Sequence, residues 1–220
     1  MAYRRRTRGR TFRRRRGRSL PWYSRKYNAM QLASAAWRGV RYVKGLVNSE
    51  MFHNTISNTT FPNPLGAIVP LTSIAIGDSA TTRTGNSLFV RSIVMNMNCS
   101  QNAAALDNTF IRMVLFIDTQ QVSDTTPVAS DIFATTGPNA LINLDSAGRY
   151  KFLKTWEFSL STQNPAKVIK YYKNIRHHVR YNGPNATDVQ KGGLYLALVS
   201  SQSTNTPTLS YHVRIGYHDN

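Results

Sequence analysis

The chain has 220 residues, 28 of them Lys or Arg and 10 Asp or Glu, for a formal charge of +18 with its histidines neutral. Its single cysteine, Cys99, excludes a disulfide framework within the chain and points to an intracellular rather than a secreted setting. No apolar run approaches the roughly 18–20 residues that span a bilayer, and the N-terminus lacks the apolar core of a signal peptide, so no membrane role is expected and the Asn-X-Ser/Thr triplets at Asn58, Asn98 and Asn185 are expected to carry no sugar.

The charge is concentrated at the start. Arg4, Arg5, Arg6, Arg8, Arg10, Arg13, Arg14, Arg15, Arg16 and Arg18 place ten arginines in fifteen positions, with no acid among them. Arg25, Lys26, Arg38, Arg41 and Lys44 complete a set of fifteen bases within residues 1–45. The first carboxylate is Glu50, and the remaining 175 residues carry 13 basic and 10 acidic side chains, a net of +3. Asymmetry of this size points to a polyanion, nucleic acid first. Arginines can each neutralise a phosphate and release counterions without reading sequence, and a guanidinium bridges two phosphate oxygens or stacks on a base where lysine cannot. A solubility tail, a nuclear import signal and a membrane-surface peptide are the plainer alternatives. Import is compatible with nucleic-acid packaging, whereas membrane binding needs an apolar face and residues 4–18 offer only Phe12. These fifteen bases are the candidate nucleic-acid-binding residues.

Residues 1–27 are too charged to order themselves and are expected to be disordered until they meet a partner. Trp22 and Tyr23 could stack on unpaired bases or dock on the body. Residues 28–48 read as an amphipathic helix. Asn28 and Gln31 resemble a weak capping box, and Ala33, Ala36, Trp37, Val40, Val43 and Val47 recur at helical spacing. That helix either packs under the core or presents Arg38 and Arg41 to nucleic acid.

From residue 49 to 220 short alternating runs separated by Gly, Pro, Asn, Ser and Thr predict one all-β domain. Strands are expected at Met51–Thr60, with Phe52 and Ile56 on one side, and at Ala67–Ile76, where Pro70 restricts the strand to an edge. In Ser87–Asn98, Phe89, Ile93, Met95 and Met97 are expected on one face. Thr109–Asp118 is apolar on both sides, so it should be covered on both faces. Residues 119–149 read as exposed loops forming functional surface, with a possible short strand at Asp131–Ala134. Tyr150–Leu160 should turn Phe152, Trp156, Phe158 and Leu160 inward. Lys167–Tyr181 should bury Ile169, Tyr171, Ile175, Val179 and Tyr181 and expose Lys170, Tyr172, Arg176, His178 and Arg180. Leu194–Ser201 is a buried strand, and Leu209–His218 closes the domain. About eight antiparallel strands fit a jelly roll or sandwich of two packed four-stranded sheets.

No enzyme signature is present: no GxxxxGK phosphate loop, no GxGxxG after a strand, no GxSxG elbow and no HExxH. Adjacent His177 and His178 point to opposite faces of a strand, and His212 and His218 lie ~20 Å apart along another, so no metal site or cofactor is expected. Asp118, Asp124 and Asp131 could serve calcium if two subunits pooled carboxylates, but solvated acids and turn caps are the plainer account. The basic side of Lys167–Tyr181, with Lys170, Tyr172, Arg176 and Arg180, either meets nucleic acid or protects an edge strand from unwanted pairing.

Several local patterns carry a family likeness. Arg83-Thr84-Gly85-Asn86 enters a strand as an R-x-G-N/D turn, and Arg112–Asp118 is an arginine, an apolar run and an aspartate. Arg149-Tyr150-Lys151-Phe152-Leu153-Lys154 and Val179-Arg180-Tyr181-Asn182-Gly183 follow in order. With the arginine arm, the chain resembles the single-jelly-roll capsid proteins of small circular single-stranded DNA viruses and of plant satellite viruses. The resemblance implies an eight-stranded jelly roll and an icosahedral shell of sixty copies with the arms inward. It also implies a packaged genome, single-stranded DNA rather than RNA, and a place in the virion; with the basic arm read as an import signal, the host nucleus is the expected place of assembly. The rivals are a non-assembling single-stranded nucleic-acid-binding protein and an enzyme on a cupin-like β-sandwich.

Overall fold

The structure, a computed structural model, describes residues 33–34, 36–40, 51–105, 107–121, 125–146 and 148–219. The chain divides into two units, Met1–Asn48 and Ser49–Asn220. In the first, residues 33–34 and 36–40 are helical, and Trp37 and Val40 of the apolar stripe are exposed.

Among the described residues the second unit has nine strands: β1 (Met51–Thr60), β2 (Ala67–Pro70), β3 (Ser87–Ser100), β4 (Thr109–Asp118), β5 (Tyr150–Leu160), β6 (Ala166–Tyr181), β7 (Val189–Lys191), β8 (Gly193–Ser200) and β9 (Thr208–Asp219). They form two antiparallel sheets, one ordered β1-β9-β3-β6-β7 and the other β2-β8-β4-β5. Apart from β7, this is the strand order of a jelly roll, in which the chain crosses repeatedly between two sheets that share one core. The first sheet has five strands rather than four because Val189 and Lys191 pair with the end of β6. Gly192, at φ +80°, then turns the chain out of β7 and into β8 in the opposite sheet. A side chain there would collide with the His178 carbonyl.

Between the sheets, Ile93, Met95 and Met97 of β3 and Val213, Ile215 and Tyr217 of β9 meet Ile111, Met113 and Leu115 of β4 and Leu194, Leu196 and Leu198 of β8. Burial of such side chains contributes roughly 1.5–3 kcal/mol each, and this layer dominates the stability of the domain. Trp156 closes one flank edge-on to Tyr171, their rings 5.1 Å apart.

Two inserted residues change which side chains face the core. In β3 the register slips between Val90 and Ser92, so Arg91 is an extra residue against β9. Leu88 and Val90 therefore point inward and Phe89 outward, where the pattern had put Phe89 with Ile93. A second slip, between Leu115 and Phe116 of β4, leaves Leu153 extra in β5. Leu153 joins Trp156 and Phe158 against the main core, and Phe152 turns to the other side of the sheet. A bulge adds one residue to one strand and inverts everything beyond it.

Residues 125–146 are not simply surface loops. They cover the outer face of the second sheet and close a smaller core, in which Ile132, Phe133 and Ala140 pack with Val114, Phe116, Tyr195 and Val199. That segment is what covers the second apolar side of β4. The short strand anticipated at Asp131–Ala134 is a single helical turn, Ala129–Ile132, followed by one isolated bridge between Phe133 and Ile142. The run Ala67–Ile76 is a strand only as far as Pro70, and Ile76 pairs once with Arg83.

Candidate nucleic-acid interface

The outer face of the first sheet differs chemically from the rest of the domain. From Ser92 to the end of β3 its strands β1, β9, β3 and β6 are in unbroken register, so side chains from four strands fall in rows. Ser57, His212, Asn96 and Lys170 make one row; Thr55, Arg214, Val94 and Tyr172 make the next; His53, Gly216, Ser92 and Asn174 follow. Beyond the bulge come His218, Phe89 and His178. The strands of this sheet contain a single acid, Asp219 at the end of β9. Its carboxylate accepts hydrogen bonds from the backbone N–H and the hydroxyl of Thr84.

Cations from three strands stand on this face. Lys170, Arg176 and Arg180 come from β6, Arg91 from β3 and Arg214 from β9, all exposed. Arg91 and Arg176 share one irregularity: Val90 pairs with His177 and Ser92 with Asn174, so Arg91 lies opposite Ile175 and Arg176. Arg176 sits at φ 53°, in the left-handed region that a non-glycine residue enters at a cost of order 1 kcal/mol. The bulge thus brings two guanidinium groups to one place in the sheet.

A neutral hydroxyl holds one of these cations in position. The Arg214 Nε donates to Thr55 Oγ1 at 3.2 Å. Ser57 Oγ and His212 Nδ1 are 2.9 Å apart. Between these rows lies a shallow depression of about 180 Å³ lined by Thr55, Val94, Asn96, His212 and Arg214. Tyr172 is 62 % exposed beside it, and its hydroxyl donates to Asn174 Oδ1 at 2.8 Å, which fixes the ring as an open aromatic surface. Phe89 lies against His178, ring centroids 4.8 Å apart. Cations with exposed rings and no competing carboxylates suit a flexible polyanion whose bases can stack, at ~1–3 kcal/mol per stacked base. The second sheet is far less biased: its strands carry Arg112, Lys151 and Lys154 against Asp118 and Glu157.

Of the candidate residues from the sequence, Arg38 lies on the described helical segment and is exposed. Arg4, Arg5, Arg6, Arg8, Arg10, Arg13, Arg14, Arg15, Arg16, Arg18, Arg25, Lys26, Arg41 and Lys44 lie outside the described residues, as does Asp124. Lys170, Tyr172, Arg176 and Arg180 share one face as read. Arg91 was missed, although a cation in the middle of the apolar run Leu88–Ile93 marks the place where alternation breaks.

The other motif residues serve the fold. Arg83 is completely buried, with Nε donating to the Ile74 carbonyl at 2.8 Å, Nη1 to Gly85 O at 2.6 Å and Asn86 Oδ1 at 2.9 Å, and Nη2 to Gly183 O. Arg149 clasps the buried Asp118 at 2.8 and 2.6 Å, a bond that raises the arginine's pKa. Asp131 accepts from the Val128 N–H at 3.1 Å, so both acids have protein partners. Among the described residues no three His, Cys, Asp or Glu side chains are grouped to hold a metal. Cys99 lies in the core, where burial pushes its thiol up to about 12, the wrong direction for a nucleophile.

No family model matches the sequence, and no curated protein matches it. Among solved structures the chain is similar to that of Desmodium yellow mottle tymovirus, with 10% identity, a TM-score of 0.36, and 78% of this chain and 88% of that chain covered. A second likeness is to the infectious bursal disease virus VP2 subviral particle, with 11% identity, a TM-score of 0.18 and 78% and 42% covered. Scores this low do not establish a common fold, and the jelly roll rests on the strand order itself.

Proposed function

We propose that this chain is a viral capsid protein that assembles into a small icosahedral shell and packages a nucleic-acid genome. The observation that carries this reading is the segregation of charge on a jelly roll: one sheet presents a cationic face, and the same chain bears fifteen bases ahead of its first carboxylate. In this reading the arginines of residues 4–18 neutralise phosphates and condense the genome, while the sheet face and Tyr172 receive strands against the shell wall. Sixty copies, single-stranded DNA and a nuclear stage of assembly are the finer form of the proposal, and the motif resemblance supports them. Repulsion among the basic segments opposes assembly until a polyanion neutralises them, so packaging and closure are coupled.

The test is electron microscopy of purified full-length protein after nuclease treatment, with and without an added single-stranded oligonucleotide at low salt. Closed uniform shells that protect nucleic acid, and that need it to form, are the expected result. A discrete dimer or monomer whose nucleic acid is fully digested would overturn the capsid reading in favour of a free single-strand-binding protein. Shells that close equally well without any polyanion would overturn the coupling.

A further inference from the structure

Each sheet has two edges, and an exposed edge strand is a template for pairing with another chain unless it is short, broken or charged. Three of the four edges carry such protection. β2 is four residues long and ends in Pro70. β5 carries Lys151, Lys154 and Glu157. β6 is covered by β7 at Arg180 and Tyr181 only, and its remaining length carries Lys167, Lys170, Lys173 and Arg176.

β1 has none of these. Its ten residues, MFHNTISNTT, include no Lys, Arg, Asp, Glu, Pro or Gly. Its ladder with β9 runs without a slip from Met51 opposite His218 to Thr60 opposite Leu209, so the strand is regular over its whole length. Among the described residues nothing pairs with its other side. The apolar side chains at this edge are also incompletely covered: Met51 is exposed, and Phe52 and Ile56 are half-buried although they pack on the core.

We propose that β1 is a two-fold seam, pairing antiparallel with β1 of a second copy of this chain. Charge selects that occupant. The β6 edge is cationic and the β5 edge mostly so, and neither meets a complementary acidic edge in another copy, while β2 is too short. The only edge that matches β1 in length and neutrality is another β1. A two-fold axis normal to the sheet closes the pair, which makes it a dimer rather than an open fibre. In the register that centres the axis on Ser57, Thr55 and Thr59 face each other and Ser57 faces its own copy, a favourable cross-strand combination of hydroxyls. The same axis keeps both cationic faces on one side, so the two copies offer a single continuous surface. The seam does not depend on the capsid reading, since it serves a dimeric binding protein equally.

Cysteine cross-linking of the full-length protein tests it. His53→Cys, Thr55→Cys, Ser57→Cys and Thr59→Cys are made singly and oxidised alone and in pairwise mixtures, with exposed Leu141→Cys as the collision control. The native Cys99 is buried and does not compete. In a two-fold antiparallel pair every cross-linked combination has the same sum of residue numbers. A shift of two residues from the axis separates a position from its own copy by ~13 Å, beyond disulfide reach. The expected result is cross-linking about tenfold above the control for one such sum, as a high local concentration gives, and background for the others. Background in every combination overturns the proposal, and so does cross-linking of each position to itself, which means parallel strands. Slow amide exchange along β1 of the wild-type protein, lost on dilution to monomer, is expected independently of any variant. Shells without cross-links would defeat the seam and leave the capsid reading standing; cross-linked dimers that never form shells would do the reverse.

Discussion

Replacing Arg83 by methionine removes the donor group that ties three loop segments together while preserving most of the side-chain volume. Its guanidinium donates to Ile74 O, Gly85 O, Asn86 Oδ1 and Gly183 O, and lies 3.9 Å over the Tyr181 ring. Burial lowers the Arg83 pKa, and Tyr181, Asp188 and Asp219 oppose that shift. Four bonds at ~1 kcal/mol net each, less the desolvation the methionine no longer incurs, give a loss of about 3–4 kcal/mol. For a domain of this size that corresponds to a fall in Tm of about 10 °C. Arg83→Lys retains the charge but has three donors and no planar fork, so it should fall between the two. The assay is urea unfolding of the full-length chain followed by near-UV circular dichroism, with a midpoint and slope for each variant. A loss under ~1 kcal/mol for Arg83→Met, or wild-type stability for Arg83→Lys, would refute the claim that this guanidinium organises the end of the jelly roll.

Arg149→Met strands the buried Asp118 carboxylate and should cost ~3 kcal/mol; adding Asp118→Asn to it should recover part of that loss in the same unfolding assay. His177, with Nε2 buried and no hydrogen-bond partner among the described residues, has its pKa lowered by burial first, then by Lys151, His178 and Lys191. A folded-state pKa below the unfolded value favours the unfolded chain once protons bind, so this contribution is complete above about pH 6.5 and is lost as pH falls from there through the folded pKa. His177→Gln should therefore flatten the decline in stability between about pH 7 and 5, read from unfolding midpoints across that range. For binding of a single-stranded oligonucleotide, Arg91→Ala and Arg214→Ala should each reduce the slope of log K against log salt by ~0.7. Anisotropy titrations at several salt concentrations measure it, and an unchanged slope would remove those residues from the interface.

Strand periodicity made most of the jelly roll legible, because a half-buried strand writes its two faces into alternate residues. Ile169 and Val179 are buried and Lys170, Tyr172 and Arg180 exposed, as their alternation said. The alternation failed where a single inserted residue inverted it, at Arg91 and at Leu153. The insertion at Leu153 leaves no compositional mark, since its flanking sequence reads as ordinary strand, and the one at Arg91 shows only as a cation within an apolar run. Residues 119–149 misled for another reason. They are polar on average, but Ile132 and Phe133 are spaced to cap the apolar outer side of β4 and β8, and only the fold brings those partners together. The short β7 was invisible because three residues, Val189–Lys191, are too few for a period.

The cations of β6 have two competing explanations, protection of an open edge and attraction of a polyanion, and β6 alone cannot separate them. Arg91 and Arg214 bear on the choice. They stand on β3 and β9, interior strands paired on both sides over most of their length, where there is no edge to protect. Their charges repel those of β6 across one or two strand spacings of ~4.8 Å without a carboxylate to offset them. Selection for stability alone would favour an acid or a neutral residue at such positions, as the second sheet shows with Glu157 beside Arg112 at 3.1 Å. Edge protection therefore accounts for part of β6 and for nothing on β3 or β9. The polyanion proposed to lie across the rows would account for all of them, and for the absence of acids between.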